Sequence, residues 1–156
     1  MLDEGYQAAR GKSHELHEAG IADGFWSRLT DSLDILFAGT EIDVDFTRET
    51  DGFILSNELK TAVLMIVKEA VTNEIKHSKA TRVEILVYCD LNALVLKVTD
   101  NGQGIGHHHK QGIGLGSIRQ RVQSLNGKVE WSAEKLGGKA LKAVIPWLFS
   151  NWTMIR

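Results

Sequence analysis

The sequence predicts an α/β chain, a two-layer sandwich with helices on one face of a mixed, mostly antiparallel sheet. Three observations carry this. Segments with apolar residues at helical spacing alternate with runs of two-residue alternation. Most strand-like runs come in adjacent pairs separated by short turns, as hairpins do. Helices amphipathic on one side and strands paired in this way fit two packed layers around one core. A doubly wound nucleotide fold is disfavoured, because the glycine-rich stretch follows a strand whose predecessor is its hairpin partner, with no crossover helix between them.

The elements follow in order. Residues 1–13 are mixed and weakly patterned, and we read 1–19 as a lead or the end of a preceding helical linker. From Asp23 to Phe37, apolar residues at Phe25, Trp26, Leu29, Leu33, Leu36 and Phe37 mark a first helix. Gly39 ends it. Ile42, Val44 and Phe46 alternate with Asp43, Asp45 and Thr47 as a strand with one wet face. Asp51-Gly52 is a turn signal. Ser56 stands as the N-cap of a second helix, with Leu59, Val63, Ile66 and Ala70 forming its stripe, to about Lys76.

Thr81 to Cys89 and Ala93 to Thr99 read as a hairpin, and Gly102 to Gly112 as a glycine- and histidine-rich loop. Leu115, Ile118, Val122 and Leu125 predict a third helix closed by Asn126-Gly127. Val129 to Ala133 and Leu141 to Ile145 read as two last strands, joined at Leu136-Gly137-Gly138 and stopped by Pro146. The domain proper is placed at 20–147 and a tail at 148–156. That tail is unusually apolar, and the sequence does not decide whether it packs on the domain or on a partner.

Composition bounds the function. With 156 residues, 43% of them hydrophobic, the chain has the material for one core. A net charge of −2 gives no general attraction to nucleic acid or to an anionic membrane. The single cysteine, Cys89, excludes an internal disulfide and fits an intracellular protein. It lies in an apolar alternating run, as a small buried hydrophobe rather than a nucleophile. No apolar stretch approaches the roughly 20 residues needed to span a bilayer. The first residues lack a signal-peptide core, so we expect a soluble, cytoplasmic chain or the cytoplasmic part of a longer one.

Four groups of residues could carry chemistry. Glu69, Asn73, Lys76 and His77 are spaced by three and four, so a helix brings them toward one face. Carboxylate and amide oxygens suit a hard cation, and an ammonium suits phosphate. A solvated face with ordinary Glu–Lys pairing is the alternative. Asp100 shares a strand face with Leu94, Leu96 and Val98, so its carboxylate sits at the rim of the core and needs a donor. The exocyclic amine of a purine would supply one. Equally, Asp100 could simply begin the turn at Asn101-Gly102.

Gly102, Gly104 and Gly106 leave backbone amides open to close approach by a ligand. Gly112, Gly114 and Gly116 do so just before a helix start, which is itself an anion site. Arg119 and Arg121 follow, placed to reach phosphate or to pair with acidic neighbours. The run His107-His108-His109 is not read as a metal site, because adjacent residues do not easily converge on one ion. Lys110 beside it is a further candidate for neutralising phosphate.

Taken together, these motifs resemble the catalytic ATP-binding domain of sensor histidine kinases, within the GHKL ATPase superfamily. Lys68 to His77 looks like the family's N box. Asp100 to Gly106 looks like its first glycine box and Gly112 to Gly116 like its second. The resemblance covers about Gly20 to Pro146. The Glu-Ala-x-x-Asn form, the short lid and the Gly-Ser-Ile-Arg-Gln-Arg helix start are most similar to the subfamily that pairs with response regulators carrying a helix-turn-helix output domain.

The resemblance implies the Bergerat fold, ATP and Mg2+ as ligands, and transfer of the γ-phosphate to a histidine of a dimerisation (phosphoacceptor) domain. It also implies a cognate response regulator as partner and no direct contact with nucleic acid. It leaves open whether the parent chain is anchored in a membrane. Asn73 would coordinate magnesium, with Glu69 a polar helper near the ion at the position that activates water in ATP-hydrolysing relatives. Asp100 would read the adenine amino group. Lys76 and His77 would line the phosphate or ribose side. Gly102, Gly104, Ile105, Gly106, Gly112, Gly114, Leu115 and Gly116 would form the nucleotide lid.

Two departures stand out. Relatives often carry Gly-Thr before the last strand, where this chain has Gly137-Gly138-Lys139-Ala140. The stretch Glu15-Leu16-His17-Glu18 faintly matches an acceptor motif, but only one helix-like segment separates it from the first strand, so His17 is not read as the acceptor. Alternatives are an ATP-hydrolysing or anti-sigma-type serine-kinase relative, or, in another class, a degenerate nucleotide- or partner-binding module without catalysis.

Overall fold

The computed structural model describes residues 24–102, 113–135, 137–146 and 152–154, the short spans 113–115 and 152–154 by backbone alone. Helix α1 (Phe25–Phe37) follows Gly24, whose φ of 69° suits glycine. Phe25, Leu29, Leu33 and Phe37 fall four apart and are buried. Strand β1 (Asp43–Glu49) buries Val44 and Phe46, as its alternation predicts. A short strand β2 (Phe53–Leu55) follows the Asp51-Gly52 turn.

Helix α2 (Asn57–Asn73) starts on Ser56, whose Oγ accepts from the Leu59 amide at 3.1 Å. This bond satisfies one of the amides that a helix start leaves open. Leu59, Ala62, Val63, Ile66, Val67, Ala70 and Val71 form its buried stripe. The α-helix ends at Asn73, short of the expected Lys76, and Glu74–Ser78 continues as a single π-helical turn. Lys79, at φ 59°, stops it.

Strands β3 (Arg82–Cys89) and β4 (Ala93–Asp100) form the expected hairpin. Asp90 Oδ1 accepts from the amides of Asn92 and Ala93 and so builds its turn. Helix α3 spans Ile113–Ser124, and the left-handed Asn126 with Gly127 closes it, the Gly127 amide reaching Val122 O at 2.9 Å. Strands β5 (Lys128–Ala133) and β6 (Lys139–Pro146) form the second hairpin, and β6 also pairs with β4, where Pro146 is its last paired residue, opposite Ala93.

The main sheet has the order β1-β3-β4-β6-β5. β1 and β3 are parallel, joined across α2, and the other pairs are antiparallel. The mixed, mostly antiparallel α/β architecture is therefore as the pattern predicts. One core joins the three helices to the strands, with Leu29, Ile66, Ile85, Leu96, Ile118 and Ile145 all fully buried. In the tail, strand β7 (Trp152–Met154) pairs antiparallel with β2 as a separate two-stranded ribbon. Neither partner of that ribbon is legible by alternation, because three residues carry too little pattern.

Candidate active site

Three segments far apart in sequence meet at the end of the sheet: the π turn, the end of β4 and the start of β6. Asp100 continues the face of Leu94, Leu96 and Val98 and is 3% exposed. Its Oδ1 accepts from the Gly102 amide at 2.7 Å. Its Oδ2 accepts from Lys139 Nζ at 3.2 Å. The same ammonium lies 3.3 Å from Glu74 Oε2. Glu74 is 4% exposed, so two carboxyl groups and one ammonium share a largely water-free site.

The backbone enforces this meeting. A Cβ on Gly102 would collide with the carbonyl of Ser78, so the first glycine lets β4's exit lie directly against the π turn. Gly138 has φ +85°, and a Cβ there would collide with the Asp100 carbonyl. Glycine at 138 thus lets β6 begin against the end of β4, which delivers Lys139 beside Asp100. Asn101 completes the turn as its Oδ1 accepts from the amides of Thr81 and Arg82.

Electrostatics follow from burial. Glu74 is pushed up to about 8, chiefly by burial and further by its hydrogen bond to Asp100, with Lys139 opposing. Burial by itself would raise Asp100 too. The hydrogen bonds from Glu74 and the Gly102 amide, with the Lys139 charge, outweigh burial and hold Asp100 below its ordinary range. The shared proton of the carboxyl pair is therefore favoured on Glu74, which leaves Asp100 as the ionised partner of Lys139. Pairing of that kind is what a buried ionic site requires.

One turn and more back on α2, Glu69 and Asn73 are four apart on the α-helical part and half-buried. Glu69 Oε2 accepts from Ser117 Oγ at 2.6 Å, which links α2 to α3. Glu69 Oε1 is buried and has no partner among the described residues. A triphosphate-bound magnesium ion takes one or two protein oxygens and fills the rest of its octahedron with water and phosphate. An orphaned buried carboxylate oxygen, with an amide side chain four residues on along the same helix, fits that need. Among the described residues no group of three or more His, Cys, Asp or Glu gathers as an all-protein metal site.

The remaining candidates are distributed as follows. Lys76 and His77 lie in the π turn and are exposed. Helical spacing places Glu69 and Asn73 together only as far as the α-helix runs, since the wider turn alters the angular step after Asn73. Gly104, Ile105, Gly106 and Gly112, with His107 to Lys110, lie outside the described residues, as does His17. Gly114, Leu115 and Gly116 fall inside α3, which begins at Ile113. Leu115 lies in the helix as expected, whereas Gly114 and Gly116, expected just before its start, are corrected to positions within it. The helix start lies two residues before Leu115, because Ile113 and Gly114 already adopt helical backbone.

Arg119 stacks over the Trp131 ring at 5.1 Å and is exposed. Cys89 is pushed up to about 12 by burial, with Asp90 adding to it, so it is no thiolate nucleophile. Two surface depressions of about 300 and 350 Å³ lie elsewhere, one lined by residues 33–34 and 37–44 and the other around Lys128 and Lys142.

Sequence reasoning missed Glu74. The signal was present: Glu74 falls three and four residues after Val71 and Ala70, on the buried stripe of α2. A carboxyl on that stripe needs a partner. Nothing local pointed to Lys139, which lies 65 residues on (139 − 74) and arrives only through β6.

Comparison with known proteins gives the family and the fold. The pattern described as histidine kinase-, DNA gyrase B- and HSP90-like ATPase matches residues 58–148, from the start of α2 past the end of β6. The chain belongs to this family. Curated proteins similar to the chain include sensor histidine kinases. It is 27% identical over 133 residues to sensor histidine kinase LiaS of Bacillus subtilis, covering 84% of this chain and 35% of that one. It is 26% identical over 160 residues to sensor histidine kinase MctS of Rhizobium johnstonii, covering 93% of this chain and 34% of that one.

The HATPase chain described here thus spans about a third of the length of these relatives. Among solved structures, the ATP binding domain of PrrB from Mycobacterium tuberculosis is similar in fold. Its TM-score is 0.63 at 24% identity, covering 78% of this chain and 90% of that one. The five-stranded mixed sheet with its helices is the Bergerat fold of these ATP-binding domains. Among the described residues no helix is long and apolar enough to cross a membrane.

Proposed function

We propose that this domain binds magnesium-ATP and presents the γ-phosphate to a histidine on the phosphoacceptor and dimerisation domain of a two-component sensor kinase. The observation that carries the reading is Asp100, a buried carboxylate held ionised at the end of β4 behind Gly102. Such a group selects a ligand edge that offers N–H donors, as the adenine amino group does. Glu69 and Asn73 offer oxygen donors on the same helix. Magnesium, when bound, supplies charge neutralisation on the phosphate oxygens.

The chain's own residues orient the nucleotide. Asp100 fixes the base. Asn73 would hold the magnesium ion that accompanies the phosphates, with Glu69 held by Ser117 as its polar neighbour. Gly102, Gly104, Ile105, Gly106, Gly112, Gly114, Leu115 and Gly116 form the lid that closes over the phosphates, with Lys76 and His77 at the phosphate or ribose side. The acceptor nitrogen then forms its bond to phosphorus as the β,γ-bridging oxygen leaves with ADP. Catalysis here is positioning and electrostatics rather than covalent chemistry by the domain. The partner downstream is a response regulator, of the helix-turn-helix output class by the motif form, and the site of action is the cytoplasm.

The test is labelling of the parent kinase by radioactive ATP. Asn73→Asp and Asp100→Asn should each abolish it, and full labelling of both overturns the assignment. A second reading, a nucleotide- or partner-binding module without catalysis, is favoured by one observation: Lys139 already engages Asp100. Calorimetry with MgADP separates the two readings, since that module would give no heat at millimolar nucleotide.

A further inference from the structure

The base-reading carboxylate does not act alone. Lys139 Nζ donates to Asp100 Oδ2 at 3.2 Å and lies 3.3 Å from Glu74 Oε2. The Lys139 side chain is 15% exposed, whereas that of Asp100 has no exposure and that of Glu74 has 5%. Lys139 is therefore the member of this triad whose side chain is most exposed. Its ammonium has three N–H donors; one goes to Asp100 and Glu74 Oε2 lies 3.3 Å away, so at least one is left to serve a ligand.

An isolated carboxylate presents only acceptors. It favours the amino group of a 6-aminopurine and repels the carbonyl oxygen of a 6-oxopurine. A carboxylate with an ammonium beside it presents an acceptor and a donor side by side. The Watson–Crick edge of guanine or hypoxanthine carries the matching pair, an O6 acceptor next to an N1–H donor. Adenine carries the same pair in the reverse order, with its amino group as donor and N1 as acceptor.

We infer that Lys139 is a specificity-determining residue that opens the base site to 6-oxopurine nucleotides as well as to adenine nucleotides. The inference rests on the nucleotide-binding reading above and specifies its substrate class. O6 accepts from the Lys139 ammonium while N1–H donates to Asp100. Glu74 Oε2, 3.3 Å from the same ammonium, helps to keep the donor beside the carboxylate. Buried polar groups that stay matched remove the main physical ground for rejecting the wrong base, since rejection comes from groups left unpaired.

The experiment is calorimetric titration of the chain with MgADP, MgIDP and MgGDP. IDP differs from ADP only at the 6-position and N1, so the ADP/IDP pair isolates the inferred contact. The expected result is a Kd for MgIDP within about tenfold of that for MgADP, where a site that leaves a polar group unpaired discriminates by about a hundredfold or more. Lys139→Thr should widen the ratio at least about tenfold by weakening MgIDP. Lys139→Arg, which keeps a cationic donor, should retain IDP binding. Discrimination of a hundredfold or more by the unaltered chain overturns the inference, and so does a ratio that Lys139→Thr leaves unchanged. The unaltered chain's own ratio decides the matter if the threonine variant does not fold. Tight MgADP with no MgIDP refutes only the 6-oxopurine site, whereas no heat with any of the three refutes the nucleotide-binding reading itself.

Discussion

Ser117 Oγ donates to Glu69 Oε2 at 2.6 Å, joining two helices across 48 residues of sequence. The bond binds the early part of α3, which follows the second glycine box, to the helix that carries Asn73. It also leaves Glu69 Oε1 as a buried oxygen without a partner among the described residues. Ser117→Ala should therefore lower stability by about 1–2 kcal/mol, the cost of removing one partner of a charged hydrogen bond in a half-buried place. Urea denaturation measures this as a fall in midpoint at constant slope. An unchanged midpoint would show that the bond contributes nothing.

The Glu74 carboxyl makes stability depend on pH. Its folded value of about 8 lies above its ordinary 4.5. Its stabilising contribution is present in full below 4.5 and is lost as pH rises through about 8, because the native state keeps a proton that the unfolded chain has released. The slope reaches at most about 1.4 kcal/mol per pH unit for one proton. Asp100 works in the opposite sense. Held below its ordinary 3.8, it contributes above that pH and its contribution is lost on further acidification. Glu74→Gln, whose amide can donate to Asp100, should flatten the decline between pH 5 and 8 and exceed the unaltered chain in stability at pH 9. Equal slopes for both proteins would mean that Glu74 is ionised at neutral pH.

Gly138→Ala is a test of the backbone contact that brings Lys139 to Asp100. Its φ of +85° disfavours any side chain, and the added Cβ would also collide with the Asp100 carbonyl. A loss of about 2–4 kcal/mol is expected from strain and clash together. Gly39→Ala is the control: φ is +82° there, but nothing lies within 4 Å of the new Cβ. That variant should lose only about 1 kcal/mol. Thermal melts of the two proteins side by side would expose any error, since equal losses would show that packing at Gly138 does not matter.

Ser56→Ala removes the acceptor for the Leu59 amide at the start of α2. The expected loss is about 1 kcal/mol. Ser56→Asp should recover most of it, because aspartate caps equally well. Guanidinium unfolding of the three proteins would decide, and a threefold larger loss for alanine would indicate a role beyond the cap.

Much of this domain is determined locally, and the sequence by itself suffices for that part. Apolar periodicity located α1, the body of α2 and the hairpins, because a helix or strand buries one face and its pattern must repeat along that face. The same logic placed Asp100 inward, since it continues the face of Leu94, Leu96 and Val98. The match between motif order and family came from the sequence as well.

Tertiary structure decided the rest. The end of α2 widens into a π turn, and no residue in Glu74–Ser78 announces that in a window of periodic sequence. Strands β2 and β7 are three residues each and exist through their pairing with one another, which lies about 100 residues apart in the chain. Above all, the partner of Asp100 was not legible. Lys139 becomes its neighbour only because Gly138 permits β6 to begin against the β4 carbonyl, and Glu74 joins them only because the α2 stripe turns it into the core. A buried charge requires a partner by elementary electrostatics, but which partner it receives is a property of three-dimensional proximity that sequence separation hides.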